Sequence, residues 1–340
     1  MKRTLLILIP LLATILALEF GLRLKVNLKT YSEQNFDLYQ SAYSATNLEH
    51  LYVWAKNDSI YSQQKEFRFS YLTNDQGLID QHLLDTCTSK NSIIYLGDSF
   101  TFGVGSSQDS NLPACLEKQL PLNIINAGIP GSDPFFETLV LDSFFIDKGF
   151  HKAIFMVNLS DIYDFVIRGG NERFIPNNKV KFRAAPWIEI PYKYSYVFRA
   201  FVHKIMHLDF SLQAPSKMKG LKQEAIVAYT DLFLSINKNV DFVVVLQPYA
   251  RQYASNNEVL SEVLNYTYLE KLDSSFRANN IKTINLDPSL KNIMGPDNYL
   301  DYSWDLDGHY NNKGYELLAT LLALKLEEKY PNFIQTEEKQ

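Results

Sequence analysis

The chain opens on an apolar run, Leu5 to Leu18, broken only by Pro10 and Thr14, with Lys2 and Arg3 before it and Glu19, Arg23 and Lys25 after it. A basic start followed by an apolar stretch reads as an export signal or a membrane anchor. Extended through Phe20, Gly21 and Leu22, the stretch nearly reaches the ~20 residues that span a bilayer. Residues 26–90 are polar and tyrosine-rich without a clear period, and are read as a stalk with an N-terminal elaboration. From Asn91 the pattern becomes regular. Apolar, β-branched runs at Ser92–Leu96, Leu122–Ala127, Ala153–Leu159, Phe242–Leu246 and Lys282–Leu286 predict strands. Helical spacing at Leu112–Gln119, Pro134–Lys148, Glu224–Ile236, Glu258–Ala278 and Tyr315–Tyr330 predicts helices between and after them. Strand and helix in alternation imply an α/β fold, a parallel sheet covered by helices on both faces. In such sheets ligands bind beyond the carboxyl ends of the strands.

One stretch breaks the alternation. Residues 168–222 hold eleven Lys and Arg against three acids, +8 in a chain whose formal charge is −5. This basic insertion, rich in aromatics from Trp187 to Phe201, reads either as a face for anionic glycans or lipid headgroups or as an ordinary solvated surface. The acidic balance of the whole, 33 basic against 38 acidic residues in 340, argues against a nucleic-acid partner. Its 46% apolar and 14% aromatic content supports one large domain over residues 91–330. Two cysteines, Cys87 and Cys115, leave room for one disulfide and for no four-thiolate metal site.

The chemistry concentrates at strand ends. Ile93 to Leu96 runs into Gly97-Asp98-Ser99, which holds a serine out at the sheet edge. A hydroxyl is a poor nucleophile without a neighbouring base. Of six histidines, His309 sits in a compact acidic and polar loop, Trp304 to Gly314, before the last helix, with Asp307 placed to orient its ring. Asp305 is the substitute acid. An acyl-transfer site also needs oxyanion donors; the candidates are the backbone N–H of Ser99, the backbone N–H of Gly128 after the second strand, and Asn158 and Ser160 at the end of the third. Asp305, Asp307 and His309 also suit a divalent ion, but the sequence supplies no obvious further ligand. His203 and His207 share a spacing that could hold a metal on a helix. No cofactor is implied, and the site residues include no metal ligand.

These residues carry a resemblance. Gly97-Asp98-Ser99-Phe100-Thr101-Phe102-Gly103, Asn126-Ala127-Gly128-Ile129-Pro130-Gly131 and Asp307-Gly308-His309-Tyr310-Asn311 are similar to the blocks of the SGNH/GDSL hydrolase superfamily, in particular its exported bacterial members and the alginate-acetylation proteins. The resemblance implies a flavodoxin-like α/β/α sandwich, with Ser99 as nucleophile, His309 as base and Asp307 as its partner. It implies an esterase acting on an O-acyl, most simply O-acetyl, group of an envelope or extracellular polysaccharide outside the cytoplasmic membrane. Acetyl transfer to such a glycan, a lipid ester substrate, and a non-catalytic glycan-binding module are the alternatives. Two departures stand out. Ser160 replaces the family's oxyanion asparagine, and Leu306 stands where the acid three residues before His309 is commonly found.

Overall fold

The computed structural model describes residues 2–25, 44–45, 52–80, 82, 89–168, 191, 194–205, 215–236, 238–253 and 267–335. A long helix, α1 (Lys2–Lys25), precedes a two-stranded antiparallel hairpin, β1 (Ser59–Gln63) and β2 (Arg68–Leu72). The central sheet follows: β3 (Ser92–Gly97), β4 (Asn123–Gly128), β5 (Lys152–Val157), β6 (Asp241–Leu246) and β7 (Thr283–Asn285). All five are parallel, in the spatial order β4-β3-β5-β6-β7. The chain therefore switches direction across the sheet between β3 and its two neighbours, and in doubly wound folds the crevice at such a switch is the ligand site.

The two-residue period of a strand explains the layers. Ile94 and Leu96 of β3 join one buried cluster, with α4 (Pro134–Phe144), α5 (Leu159–Arg168), α7 (Pro215–Ser235) and α8 (Thr267–Ala278). Ile93 and Tyr95 face the other way, into α3 (Leu112–Glu117), α9 (Asp287–Ile293) and α10 (Asn312–Lys329). Every position of β3 is buried, so its sequence is apolar on both faces.

The elements depart from their sequence-based bounds where capping chemistry overrides periodicity. The third strand stops at Val157, and Leu159 already belongs to α5. There Asn158 takes its N–H to Asp161 Oδ2 at 2.7 Å and leaves the strand pattern. The last helix starts at Asn312 because the Asn311 side chain accepts the Gly314 N–H at 3.0 Å. Four helices escaped the apolar pattern, α2 (Ser99–Phe102), α5, α6 (Tyr196–Lys204) and α9, with α6 inside the basic insertion. Residues 169–190, 206–214 and 258–266 lie outside the described residues, and so do Cys87 and His207; Cys115 is a buried free thiol.

Part of the stretch read as stalk is folded onto the domain. Phe67, Phe69 and Tyr71 of the hairpin, with Ile79, form a buried cluster around Phe102 of α2. The Tyr71 hydroxyl donates to the Gly103 and Ser106 carbonyls that close the loop after the serine. By contrast α1 contains a 19-residue stretch, Leu6–Leu24, that is long and apolar enough to cross a membrane, and none of it is buried.

Candidate active site

Asp98 follows β3 and caps α2: its Oδ1 accepts the Phe100 N–H at 2.9 Å. That cap fixes Ser99 as the first residue of a one-turn helix at the sheet's carboxyl edge. The turn is held against β4 because Gly128 lacks a side chain; a Cβ there would lie 2.3 Å from the Phe102 nitrogen. On the far side of the sequence, Gly308 adopts φ +89°, a left-handed conformation that turns the chain so that Asp307 and His309 face each other.

The loop and the serine meet. His309 Nε2 lies 2.7 Å from Ser99 Oγ, and His309 Nδ1 is hydrogen-bonded to Asp307 Oδ1. This is the hydrogen-bond order of a Ser-His-Asp triad. Phe100, one residue after the serine, lies against the imidazole with ring centroids 4.5 Å apart, and Tyr249 meets Phe100 edge-on at 4.9 Å. The His309 and Asp307 side chains keep 19% and 28% of their surface, so the site is open to a substrate. Burial pulls the Asp307 carboxyl up, but its hydrogen bond to His309 and the positive charges of His309 and Arg251 outweigh that and hold it below the usual carboxylate value of 3.8. Asp305 makes no contact with the imidazole among the described residues; it offers only its N–H to Glu66.

The four oxyanion candidates divide. The Ser99 N–H, at the start of a helix, has no acceptor among the described residues. The Gly128 N–H is taken by Asn126 Oδ1 at 2.9 Å, so the glycine serves close packing and does not present a free donor. Asn158 and Ser160 both turn inward to Asp98. Asn158 Nδ2 donates to Asp98 Oδ2 at 3.1 Å and Ser160 Oγ donates to the same oxygen at 2.8 Å, with Asn158 Oδ1 close beside it. The cause is the Asp98 carboxylate, 2% exposed, which needs donors on both oxygens to stay buried. Behind it Asp161, fully buried, is held well above the usual carboxylate range by desolvation and by the charges of Asp98 and Glu137.

One positioning residue has no signal in the sequence. Glu66, in the turn between β1 and β2, accepts the backbone N–H groups of Asp305 at 3.0 Å, Leu306 at 2.8 Å and Asp307 at 2.9 Å. Three successive amides around one carboxylate fix the loop that carries Asp307 and His309. Residues 239 to 241 positions apart meet there, which no local pattern announces.

No family model matches the chain, and no curated protein matches it. Solved structures do. A GDSL-family lipolytic protein from Desulfitobacterium hafniense is similar at 14% identity over 69% of this chain and 98% of that one, with a TM-score of 0.37. An acetylxylan esterase from Geobacillus stearothermophilus is similar at 12% identity over 73% and 97%, TM-score 0.40. A second acetyl xylan esterase is similar at 15% identity over 69% and 99%, TM-score 0.38. At these identities the roles of individual side chains rest on this chain's own geometry.

Proposed function

We propose that the chain is a serine esterase of SGNH/GDSL type that removes an O-acyl group, most simply acetyl, from an envelope or extracellular polysaccharide. The observation that carries the reading is the 2.7 Å contact of His309 Nε2 with Ser99 Oγ while Asp307 occupies Nδ1. Ser99 Oγ attacks the ester carbonyl carbon as its proton passes to His309 Nε2. Asp307 stabilises the imidazolium that forms. The Ser99 N–H meets the developing oxyanion. The bond from carbon to the alcohol oxygen then breaks, His309 delivers its proton to that oxygen, and the alcohol leaves. Water, deprotonated by His309, attacks the acyl-enzyme and releases the carboxylic acid, while Ser99 recovers its proton.

The polysaccharide half of the reading is supported by a groove of about 600 Å³ that shares Trp304 with the catalytic loop. Trp304, backed by the buried Phe67 ring, lines it on the aromatic side, and Arg68, Asn312 and Lys313 offer polar groups, a mixture that suits a sugar ring. The export half is supported by the unburied apolar stretch of α1. The test is a short p-nitrophenyl ester and a fluorophosphonate probe applied to wild type and Ser99→Ala. Turnover and labelling confined to wild type are expected; folded wild type that neither turns over nor is labelled sinks the proposal. Acetate release from an acetylated glycan with the same dependence on Ser99 then tests the substrate class.

A further inference from the structure

The end of α1 and the helix docked on it take no part in the chemistry at Ser99. Glu19 is the one acid in α1, and its carboxylate is spent on the start of α6. It accepts the Tyr196 N–H at 2.8 Å, the Val197 N–H at 2.9 Å and the Ser195 hydroxyl at 3.0 Å. Arg23, one turn later, pairs with Glu19 at 2.8 Å, donates to the Tyr194 carbonyl at 2.8 Å and lies 5.1 Å over the Tyr196 ring. An acid on one helix thus caps the N-terminus of another more than 170 positions away, where backbone N–H groups and the helix dipole favour a negative charge.

This docking sets the height of α6. From Glu19 to Leu24, where the apolar stretch ends, five residues rise about 7.5 Å at 1.5 Å each. A bilayer entered by Leu6–Leu24 therefore has α6 at its surface. The outer face of α6 matches that position. Phe198, Phe201 and Ile205 follow each other at i, i+3 and i+7, which is one side of a helix, and Tyr194 stands just before the extended Ser195 cap. Tyr194 is 68% exposed, Phe201 44% and Ile205 66%. The Phe198 and Phe201 rings sit 6.4 Å apart in the same row. Phe201 and Ile205, exposed beside the half-buried Phe198, mark an interaction surface, and it adjoins the apolar helix α1.

We propose that α6 is an interfacial helix lying in the headgroup region of the bilayer that α1 enters, with Phe198, Phe201 and Ile205 toward the acyl chains and Tyr194 at headgroup level. The occupant of this face is a lipid surface. The proposal rests on α1 being in the bilayer and does not depend on the chemistry of Ser99. It gives α1 a function after export, because Glu19 and Arg23 hold the domain in one orientation to the membrane.

The experiment uses the full chain in vesicles of zwitterionic and anionic phospholipid, with Cys87→Ser and Cys115→Ala as background. A fluorophore is placed singly at Leu12→Cys, Phe201→Cys, Ile205→Cys and the exposed Leu324→Cys. Expected is several-fold stronger quenching at 201 and 205 than at 324 by lipids carrying a nitroxide near the headgroup, shielding of the same two from aqueous iodide, and quenching at 12 by a deep nitroxide. Glu19→Ala should at least halve the shallow quenching at 201 and 205 and leave position 12 unchanged. If 12 is quenched while 201 and 205 behave like 324, α6 stands off the membrane and the proposal is overturned. Shielding from iodide without nitroxide quenching means that protein covers the face, which also overturns it. No quenching at any position removes the anchor and the proposal together. Far-ultraviolet circular dichroism of each variant reports the fold, and fluorophosphonate labelling of Ser99, read separately, keeps these outcomes apart from the esterase reading.

Discussion

Two Asp-x-His pairs lie in this molecule, and they share their local geometry. In Asp307-Gly308-His309 the imidazole Nδ1 bonds Asp307 Oδ1, and the His309 N–H reaches the same oxygen at 3.3 Å. In Asp80-Gln81-His82 both the His82 Nδ1 and the His82 N–H lie 2.6 Å from Asp80 Oδ1. The difference is what faces Nε2. For His309 it is the Ser99 hydroxyl, which carries no charge and has a proton to give. For His82 it is the Glu117 carboxylate at 3.3 Å, a second anion. Hydrogen bonds to Asp80 and then Glu117 outweigh partial burial and push the His82 pKa up to about 10. A ring held protonated at neutral pH cannot take a proton from anything. His82 is therefore a clip: Asp80 also accepts the Asn126 N–H and Glu117 accepts the Ile124 N–H, so the cluster fastens the segment before β3 to β4.

The largest effect that separates the two pairs is on turnover. Ser99→Ala and His309→Ala should each lower kcat/KM by roughly 10⁴-fold or more, and His82→Ala by no more than a few-fold, measured on a small activated ester. A loss at His82 as large as that at His309 would break the distinction. Asp307→Asn sharpens it: the amide presents its N–H₂ or oxygen to Nδ1 without the charge that stabilises the imidazolium, and roughly 10²–10⁴-fold in kcat is expected to go. Burst kinetics with the same ester separate this from slower deacylation.

Next comes the carboxylate that has no counterpart at the second pair. Glu66→Gln keeps the size and one acceptor oxygen but loses the charge to which three exposed amides donate, a combined loss of roughly 1.5–3 kcal/mol. A fall in kcat of about 10–100-fold is expected, with the melting temperature changed by only a few degrees. Because Glu66 touches neither Ser99 nor His309, its effect should appear in kcat at unchanged fluorophosphonate access. A variant with wild-type kcat removes Glu66 from the catalytic loop's support.

The sheet and the residues that meet at Ser99 were legible in the sequence because their signals are local: buried strands read as apolar runs, and Gly97-Asp98-Ser99 and Asp307-Gly308-His309 each fit within three residues. The donors were not. Asn158 and Ser160 sit on one side of a strand end by periodicity, but the partner that claims both is Asp98, some sixty positions earlier. Gly128 was readable as a glycine after a strand; that its missing Cβ makes room for α2 depends on a contact between elements. Asp80-Gln81-His82 shows the same limit from the other side. Its three residues differ from Asp307-Gly308-His309 in the glycine, but the roles are set by Glu117 and Ser99, which come from elsewhere in the chain.

The smallest expected effect is on stability, and its sign follows from the His82 shift. The folded pKa of about 10 exceeds the ordinary 6.5, so protonation of His82 favours the folded chain. That contribution is complete below pH 6.5, shrinks as pH rises through the window, and is gone above about pH 10. With the His82 side chain 24% and Glu117 34% exposed, solvent screening leaves about 1–2 kcal/mol of it, a few degrees in melting temperature. Melting curves of wild type should therefore fall between pH 6.5 and 10, and those of His82→Ala should be flatter over the same range. Glu117→Gln removes one of the two anions and should move the alkaline end of the window downward without abolishing it, because Asp80 remains. If His82→Ala leaves the slope unchanged, the charge on the second imidazole is not what fastens the segment, and the difference between the two pairs lies in the backbone hydrogen bonds that Asp80 and Glu117 accept.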